Sequence, residues 1–261
     1  MMLTDQAAPV FVRLASHPLR WRLLTELAAS DRRVRELVEL AGQPQNLISY
    51  HLRLLRGGGL VTAHRSSFDA RDSYYHLDLE GCAHALSAVG LALHPGLRLA
   101  PNPPPATSTK RPVRSRVLFA CTGNSARSPI AEALLRRRAG GHVEVVSAGS
   151  DPKSHIHPSA VRVLREQYGG IDIADQLPRH LDTVASRRFD YVISLCDKVR
   201  EVCPEFPAQP RLIHWSIPDP AASDTDRESY PAFLRVAAEI DIRIRYLLPV
   251  LCPYPEPEIQ P

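Results

Sequence analysis

The sequence predicts two domains of different class: a mostly helical N-terminal unit closed by a β-hairpin, and a C-terminal α/β unit. Three observations carry this. Leucine-rich helical stripes occupy residues 19–55 and give way to two short β-type runs. A proline-dense stretch, Pro-Asn-Pro-Pro-Pro-Ala-Thr-Ser-Thr-Lys-Arg-Pro over residues 101–112, then ends all periodicity. Beyond it, apolar runs such as Val117-Leu118-Phe119-Ala120 alternate with helical stripes. A length of 261 residues accommodates two domains. The expected boundaries are 1–97, a Pro-rich basic linker 98–114, a second domain 115–250, and a disordered tail 251–261.

In the first domain, Leu19, Leu23, Leu24 and Leu27 form one helical stripe, and Val34, Leu37, Val38 and Leu40 a second, shorter one. Gly42-Gln43-Pro44 makes a turn, and a helix is expected over about Pro44 to Arg56. Ile48, Leu52 and Leu55 lie at i, i+4 and i+7 and face the core. Gln45, Asn46, Ser49, Tyr50 and Arg53 fall on the opposite face, with types suited to base edges and phosphates. Gly57-Gly58-Gly59 ends the helix. Val61 to Arg65 and Tyr74 to Leu77 read as strands around a polar loop, with Arg65 and Arg71 near its tip. Helix, helix, turn, helix and hairpin is a winged helix-turn-helix.

The run Ile-Ser-Tyr-His-Leu-Arg-Leu-Leu-Arg-Gly-Gly-Gly-Leu-Val resembles the ArsR-type bacterial repressors over about Ala8 to Val89. The resemblance implies operator DNA as partner, includes His51 in the recognition-helix pattern, and implies homodimers through terminal helices, here Val10 to Ala15 and Leu79 to Leu93. Metal-sensing members carry Cys-x-Cys before the recognition helix. This chain reads Arg-Glu-Leu-Val-Glu-Leu-Ala-Gly there, and Cys82 with His84 falls short of the three or four ligands a metal wants. No metal site is expected.

Charge separates the linker from both domains. Residues 1–97 hold ten basic against nine acidic side chains, 98–116 five against none, and 117–261 seventeen against nineteen. The positive excess therefore sits in the linker, as sequence-independent phosphate contacts or as a plain semi-rigid spacer.

In the second domain, Cys121-Thr122-Gly123-Asn124-Ser125-Ala126-Arg127-Ser128 directly follows the strand-like run and precedes Pro129 and the stripe Ile130, Ala131, Leu134, Leu135. Strand, tight loop and helix start build a cradle for a tetrahedral oxyanion, because loop N–H groups and the helix's positive end converge on one point. The planar fork of Arg127 grips two anion oxygens. The same field is expected to favour the thiolate of Cys121, a nucleophile at the floor. Thr122, Gly123, Asn124, Ser125, Ala126 and Ser128 are the expected oxyanion-binding residues.

From about Arg116 to Leu248 the chain resembles the low-molecular-weight phosphotyrosine phosphatases and the arsenate reductases of the same fold. The resemblance rests on the cradle, on Val143 to Gly149 ending Ser-Ala-Gly, and on Ile217-Pro218-Asp219-Pro220. It implies a parallel four-stranded sheet with flanking helices, assigns Asp219 as general acid, and gives Asn124 and Ser128 the task of holding the loop and the thiolate. Asn124, Glu132 and Ser147 match positions near which some members hold a monovalent cation; ordinary loop hydrogen bonding is the favoured reading.

Cys196 and Cys203 lie in Ser-Leu-Cys-Asp-Lys-Val-Arg-Glu-Val-Cys-Pro, after the run Tyr191-Val192-Ile193. Phosphoryl transfer needs one cysteine; arsenate reduction uses thiols as an electron relay. With His214-Trp215 downstream, this segment resembles the thioredoxin-coupled arsenate reductases, although Ala126 stands where many of them carry a further cysteine. The resemblance implies that Cys121 attacks arsenate, Cys196 attacks Cys121 and expels arsenite, and Cys203 attacks Cys196. Residues seven apart on a helix are separated by about 10 Å of rise, whereas a disulfide needs Cα atoms within about 7 Å. The segment is thus expected to be helical or looped when reduced and rearranged when oxidised.

The expected function is a DNA-binding regulator fused to an arsenate reductase with residual phosphatase activity. The alternative is a protein-tyrosine phosphatase tethered to DNA. No tightly bound cofactor is expected, only a thiol donor such as thioredoxin. Five cysteines, no signal peptide and no membrane-length apolar run point to a cytoplasmic chain without membrane contact.

Overall fold

A computed structural model describes residues 8–66, 68–69, 71–97, 115–221 and 226–252. The chain divides into two compact units, residues 1–103 and 104–261.

The N-terminal unit runs α1 (Val10–Ala15), α2 (Pro18–Ala29), β1 (Arg32–Arg33), α3 (Val34–Ala41), α4 (Gln45–Gly57), β2 (Val61–Arg65), β3 (Ser73–Leu77) and α5 (Leu79–Leu93). The ends of these helices have local causes. Pro18 opens α2, and the His17 ring accepts the Leu19 N–H at 3.2 Å. Glu36 reaches back to accept the Arg33 N–H at 2.8 Å, and Gly42 stops α3 in the left-handed region. Asp78 caps α5 by accepting the Gly81 N–H at 2.8 Å.

Leu23, Leu37, Ile48, Leu52 and Leu55 are fully buried, so α2, α3 and α4 meet around the expected stripes. Leu40 departs from its stripe and is exposed. The small sheet is antiparallel in the order β1-β3-β2. The hairpin is the expected wing; β1, two residues long, carries no periodicity and lies outside the expected elements. Residues 95–97 form a short 3-10 turn after α5. The expected linker 98–114 lies outside the described residues.

The C-terminal unit runs β4 (Ser115–Cys121), α6 (Arg127–Ala139), β5 (Val143–Gly149), α7 (Pro158–Gln167), β6 (Tyr191–Ser194), α8 (Asp197–Val202), β7 (Arg211–His214) and α9 (Asp226–Leu251). All four strands are parallel, in the order β5-β4-β6-β7. Parallel strands are covered on both faces and so read as continuous apolar runs; Val117 to Ala120 are all fully buried. α6 packs on β5 and α9, and Arg127 through Leu135 of it are buried.

Leu251 and Cys252 are buried with this core rather than belonging to a tail, because α9 continues to Leu251. The rest of the expected tail lies outside the described residues. The first and last described stretches of this unit meet: the Ser115 hydroxyl donates to the Leu251 carbonyl at 3.0 Å.

Candidate active site

Parallel strands deliver their C-terminal ends to one side of a sheet. Cys121 closes β4 there, and the following loop, residues 122–126, turns directly into α6. The loop is held from outside. Its carbonyls at Thr122, Gly123 and Ser125 accept the N–H groups of Asp151, Lys153 and His157 at 2.9, 2.9 and 2.8 Å. In a trans peptide the N–H points opposite to its carbonyl. The amides of Gly123, Asn124 and Ala126 are thereby turned towards the interior of the loop, and the Asn124 N–H donates to Cys121 Sγ at 3.3 Å. α6 adds the positive end of thirteen aligned peptides. Gly149, opposite Cys121 in register, admits this packing: a Cβ there would stand 2.4 Å from the Thr122 carbonyl.

Asn124 organises the loop from within. It is fully buried with φ of 43°, a left-handed conformation that asparagine tolerates. Its Nδ2 donates to Ser128 Oγ and Ser147 Oγ, both at 2.9 Å, and its Oδ1 accepts the Arg179 N–H at 2.8 Å. Ser147 Oγ donates onward to Glu132 at 2.6 Å, and Gln176 donates to the same carboxylate at 2.9 Å. Arg136 also pairs with Glu132. Asn124, Glu132 and Ser147 are thus linked by loop-bracing hydrogen bonds. Gln176 and Arg179 come from a segment without periodicity, and no sequence signal marks them.

Cys121 is 2% exposed, and its Sγ lies 3.0 Å from Ser128 Oγ. Burial pushes this thiol up, and Cys196 adds to the rise, while the Arg127 guanidinium and the Ser128 hydrogen bonds pull it down. This corrects the expectation of a resting thiolate. Desolvation outweighs the positive field because the sulfur is enclosed and the charge of Arg127 is already shared. Arg127 Nη2 pairs with Asp219 Oδ2 at 2.9 Å, and its Nη1 donates to the Ile217 carbonyl at 3.0 Å. The expected acid and the expected anion clamp are thus together, with the carboxylate half-exposed at the mouth.

Cys196 sits at the N-cap of α8 and Cys203 at its C-cap. Both are free thiols. Cys196 is buried, with its Sγ 3.3 Å from Thr122 Oγ1 on the cradle rim. Cys203 is part-buried, which pushes its thiol up to about 11. Beneath Cys196 is a polar cluster that the sequence did not reveal. Asp197, His214, Ser194 and Ser216 are all buried and mutually hydrogen-bonded.

In the N-terminal unit, Gln45, Asn46, Ser49, Tyr50 and Arg53 share the exposed face of α4, and the Arg53 guanidinium lies 5.7 Å from the centre of the Tyr50 ring. Arg65 and Arg71 are exposed on the wing. His51 is a correction: it is 4% exposed, with its ring 4.5 Å from that of His17. The helical phase explains this, since position 51 is three past Ile48 and four before Leu55, on the core side. Burial holds the His51 imidazole below its ordinary value, with His17 and Arg20 adding to the shift. Cys82, as expected, is buried; its thiol donates to the Leu60 carbonyl at 3.6 Å.

Among the described residues no helix is long and apolar enough to cross a membrane, and no three His, Cys, Asp or Glu side chains gather as metal ligands.

Residues 116–252 match the family profile described as low molecular weight phosphotyrosine protein phosphatase, and residues 17–63 that of the bacterial regulatory protein, arsR family. The chain is 38% identical over 130 residues to an arsenate reductase of Halalkalibacterium halodurans, covering 91% of that protein and 49% of this chain. It is 36% identical over 132 residues to an arsenate reductase of Brevibacillus brevis, covering 92% of that protein and 51% of this chain. A solved thioredoxin-dependent arsenate reductase of Corynebacterium glutamicum aligns with 26% identity and a TM-score of 0.42, over 88% of this chain and 96% of that one.

Proposed function

Since the chain belongs to the low molecular weight phosphotyrosine protein phosphatase family and carries an arsR-family helix-turn-helix before that domain, we propose that it is a DNA-binding regulator fused to an arsenate reductase. The observation that carries the enzymatic half is the placement of thiols. Cys121 lies on the floor of an oxyanion cradle, Cys196 against its rim, and Cys203 one short helix away.

Arsenate enters by displacing the Asp219 carboxylate from Arg127. The freed carboxylate takes the proton of Cys121, the thiolate attacks arsenic, and Asp219 passes that proton to the departing hydroxyl, which leaves as water. Cys196 then attacks the Cys121 sulfur. The sulfur–arsenic electron pair stays on arsenic, which departs as arsenite, and a Cys121–Cys196 disulfide remains. Cys203 attacks Cys196 and restores the Cys121 thiol. An external dithiol protein of thioredoxin type reduces the Cys196–Cys203 disulfide. Gln45, Asn46, Ser49, Tyr50, Arg53, Arg65 and Arg71 are the proposed operator contacts. The apolar residues Val10 and Val12 of α1 and Leu86, Leu91 and Leu93 of α5 are exposed and are the proposed surface for a second copy.

A second reading has its own support: Cys121, Arg127 and Asp219 form a complete phosphatase set without the other two cysteines. One experiment separates the two. Arsenate reduction coupled to thioredoxin, thioredoxin reductase and NADPH is measured for wild type, Cys196→Ser and Cys203→Ser, beside hydrolysis of p-nitrophenyl phosphate. The relay predicts NADPH consumption by wild type alone and phosphate ester hydrolysis in all three. Absence of arsenite formation by wild type, even in a single turnover, leaves the phosphatase.

A further inference from the structure

Oxidation demands that α8 shorten, because its two flanking cysteines must come within disulfide reach. The helix has two unlike ends. At the start, Cys196 and Asp197 are 2% and 3% exposed, and Val199 is fully buried. At the finish, Glu201 and Val202 are exposed and Cys203 is only part-buried. The start is also tied by charge and backbone. His214 Nε2 donates to Asp197 Oδ1 at 3.1 Å, and Ser216 Oγ donates to the same oxygen at 2.6 Å. Ser194 Oγ lies 2.8 Å from His214 Nδ1. Ser194 and His214 are opposite each other on the adjacent parallel strands β6 and β7. The Leu195 N–H donates to the Ala120 carbonyl at 2.7 Å, next to Cys121. A carboxylate buried to this degree persists only when held by such partners.

Resting on the proposed relay, we propose that Asp197 is a positioning residue: its buried network with His214, Ser194 and Ser216 pins the start of α8, so that Cys196 stays beside Cys121 while the Cys203 end unwinds and travels. The anchor touches neither substrate nor sulfur. It acts by keeping the effective concentration of Cys196 at Cys121 high, which is what speed in an intramolecular exchange requires.

The test uses the full chain carrying Cys203→Ser, equilibrated with reduced and oxidised glutathione. Each Cys121–Cys196 bond that forms releases two electrons and two protons, and one glutathione disulfide takes them up and leaves as two thiols. The equilibrium constant, in molar units, is the effective concentration of the pair, and peptide mapping identifies the bridge. Asp197→Asn, which keeps the shape and loses the charge, is expected to lower it about tenfold, the scale of a charged hydrogen bond. Ser216→Ala, the milder change, lowers it about fivefold and decides between the outcomes if Asp197→Asn does not fold. The rate of Cys121 alkylation by iodoacetamide stays within about twofold in both, because the cradle is untouched. An unchanged effective concentration, or a fall matched by an equal fall in Cys121 alkylation, overturns the proposal; the second outcome is what general loosening gives. Arsenate is absent from this measurement. A wild type that fails to reduce arsenate therefore sinks the proposed relay and leaves the role of Asp197 in holding Cys196 beside Cys121 to stand or fall on its own result.

Discussion

Cys203 is kept quiet by its own burial. With its thiol pushed up to about 11 from 9.0, its thiolate fraction near neutrality is about a hundredfold below that of an open thiol, one decade per unit. The sign is that of a buried acid: the protonated form is favoured, so reactivity rises only as pH climbs towards 11. Cys203 alkylation, followed by mass spectrometry, is expected to have its midpoint near 11 in the folded chain. In urea the midpoint falls back towards the ordinary thiol value of 9.0; equal midpoints in the two conditions refute this. Under the proposed relay, a thiol held protonated in this way does not compete with Cys196 for the first step. This behaviour is hidden in the sequence, because spacing identifies a cysteine without revealing how it is enclosed. Cys121 teaches the same lesson in the other direction. Its cradle is contiguous and readable from residues 121–128, while the burial that outweighs its positive field is not.

At the scale of elements, contiguity and period decide what can be read. The stripes of α2 and α4 and the apolar runs of β4 and β5 repeat along the chain and lie where expected. β1 is too short to repeat. The Asp197 network draws four residues from β6, α8, β7 and the segment just beyond it, and no local pattern links them. The family-like run groups His51 with the expected DNA contacts, although its helical phase already places it inward. The clamp on the cradle loop is likewise an agreement between distant segments, and it offers a direct test. Gly149→Ala would drive a Cβ to 2.4 Å from the Thr122 carbonyl and 2.9 Å from the Asn124 nitrogen, both backbone atoms that cannot rotate away. Loop amides displaced by a fraction of an ångström are expected to cost about a hundredfold in kcat/KM for p-nitrophenyl phosphate. Activity within a few-fold of wild type would show that the loop does not depend on this clamp.

For the molecule as a whole, the meeting of Ser115 with Leu251 makes the catalytic unit a closed circuit of chain. A closed circuit has no obligatory starting point. Joining residue 252 to residue 115 through a short glycine-serine bridge, and opening the chain at the exposed Gly140-Gly141 turn, preserves every strand neighbour and every cradle bond. Such a permuted unit is expected to hydrolyse p-nitrophenyl phosphate within a few-fold of the parent; loss of folding by circular dichroism would refute it. The same closure lets the stretch 115–252 be spliced beside another module as a cassette, since residue 115 lies against residue 251, at the opposite end of β4 from the loop 122–126.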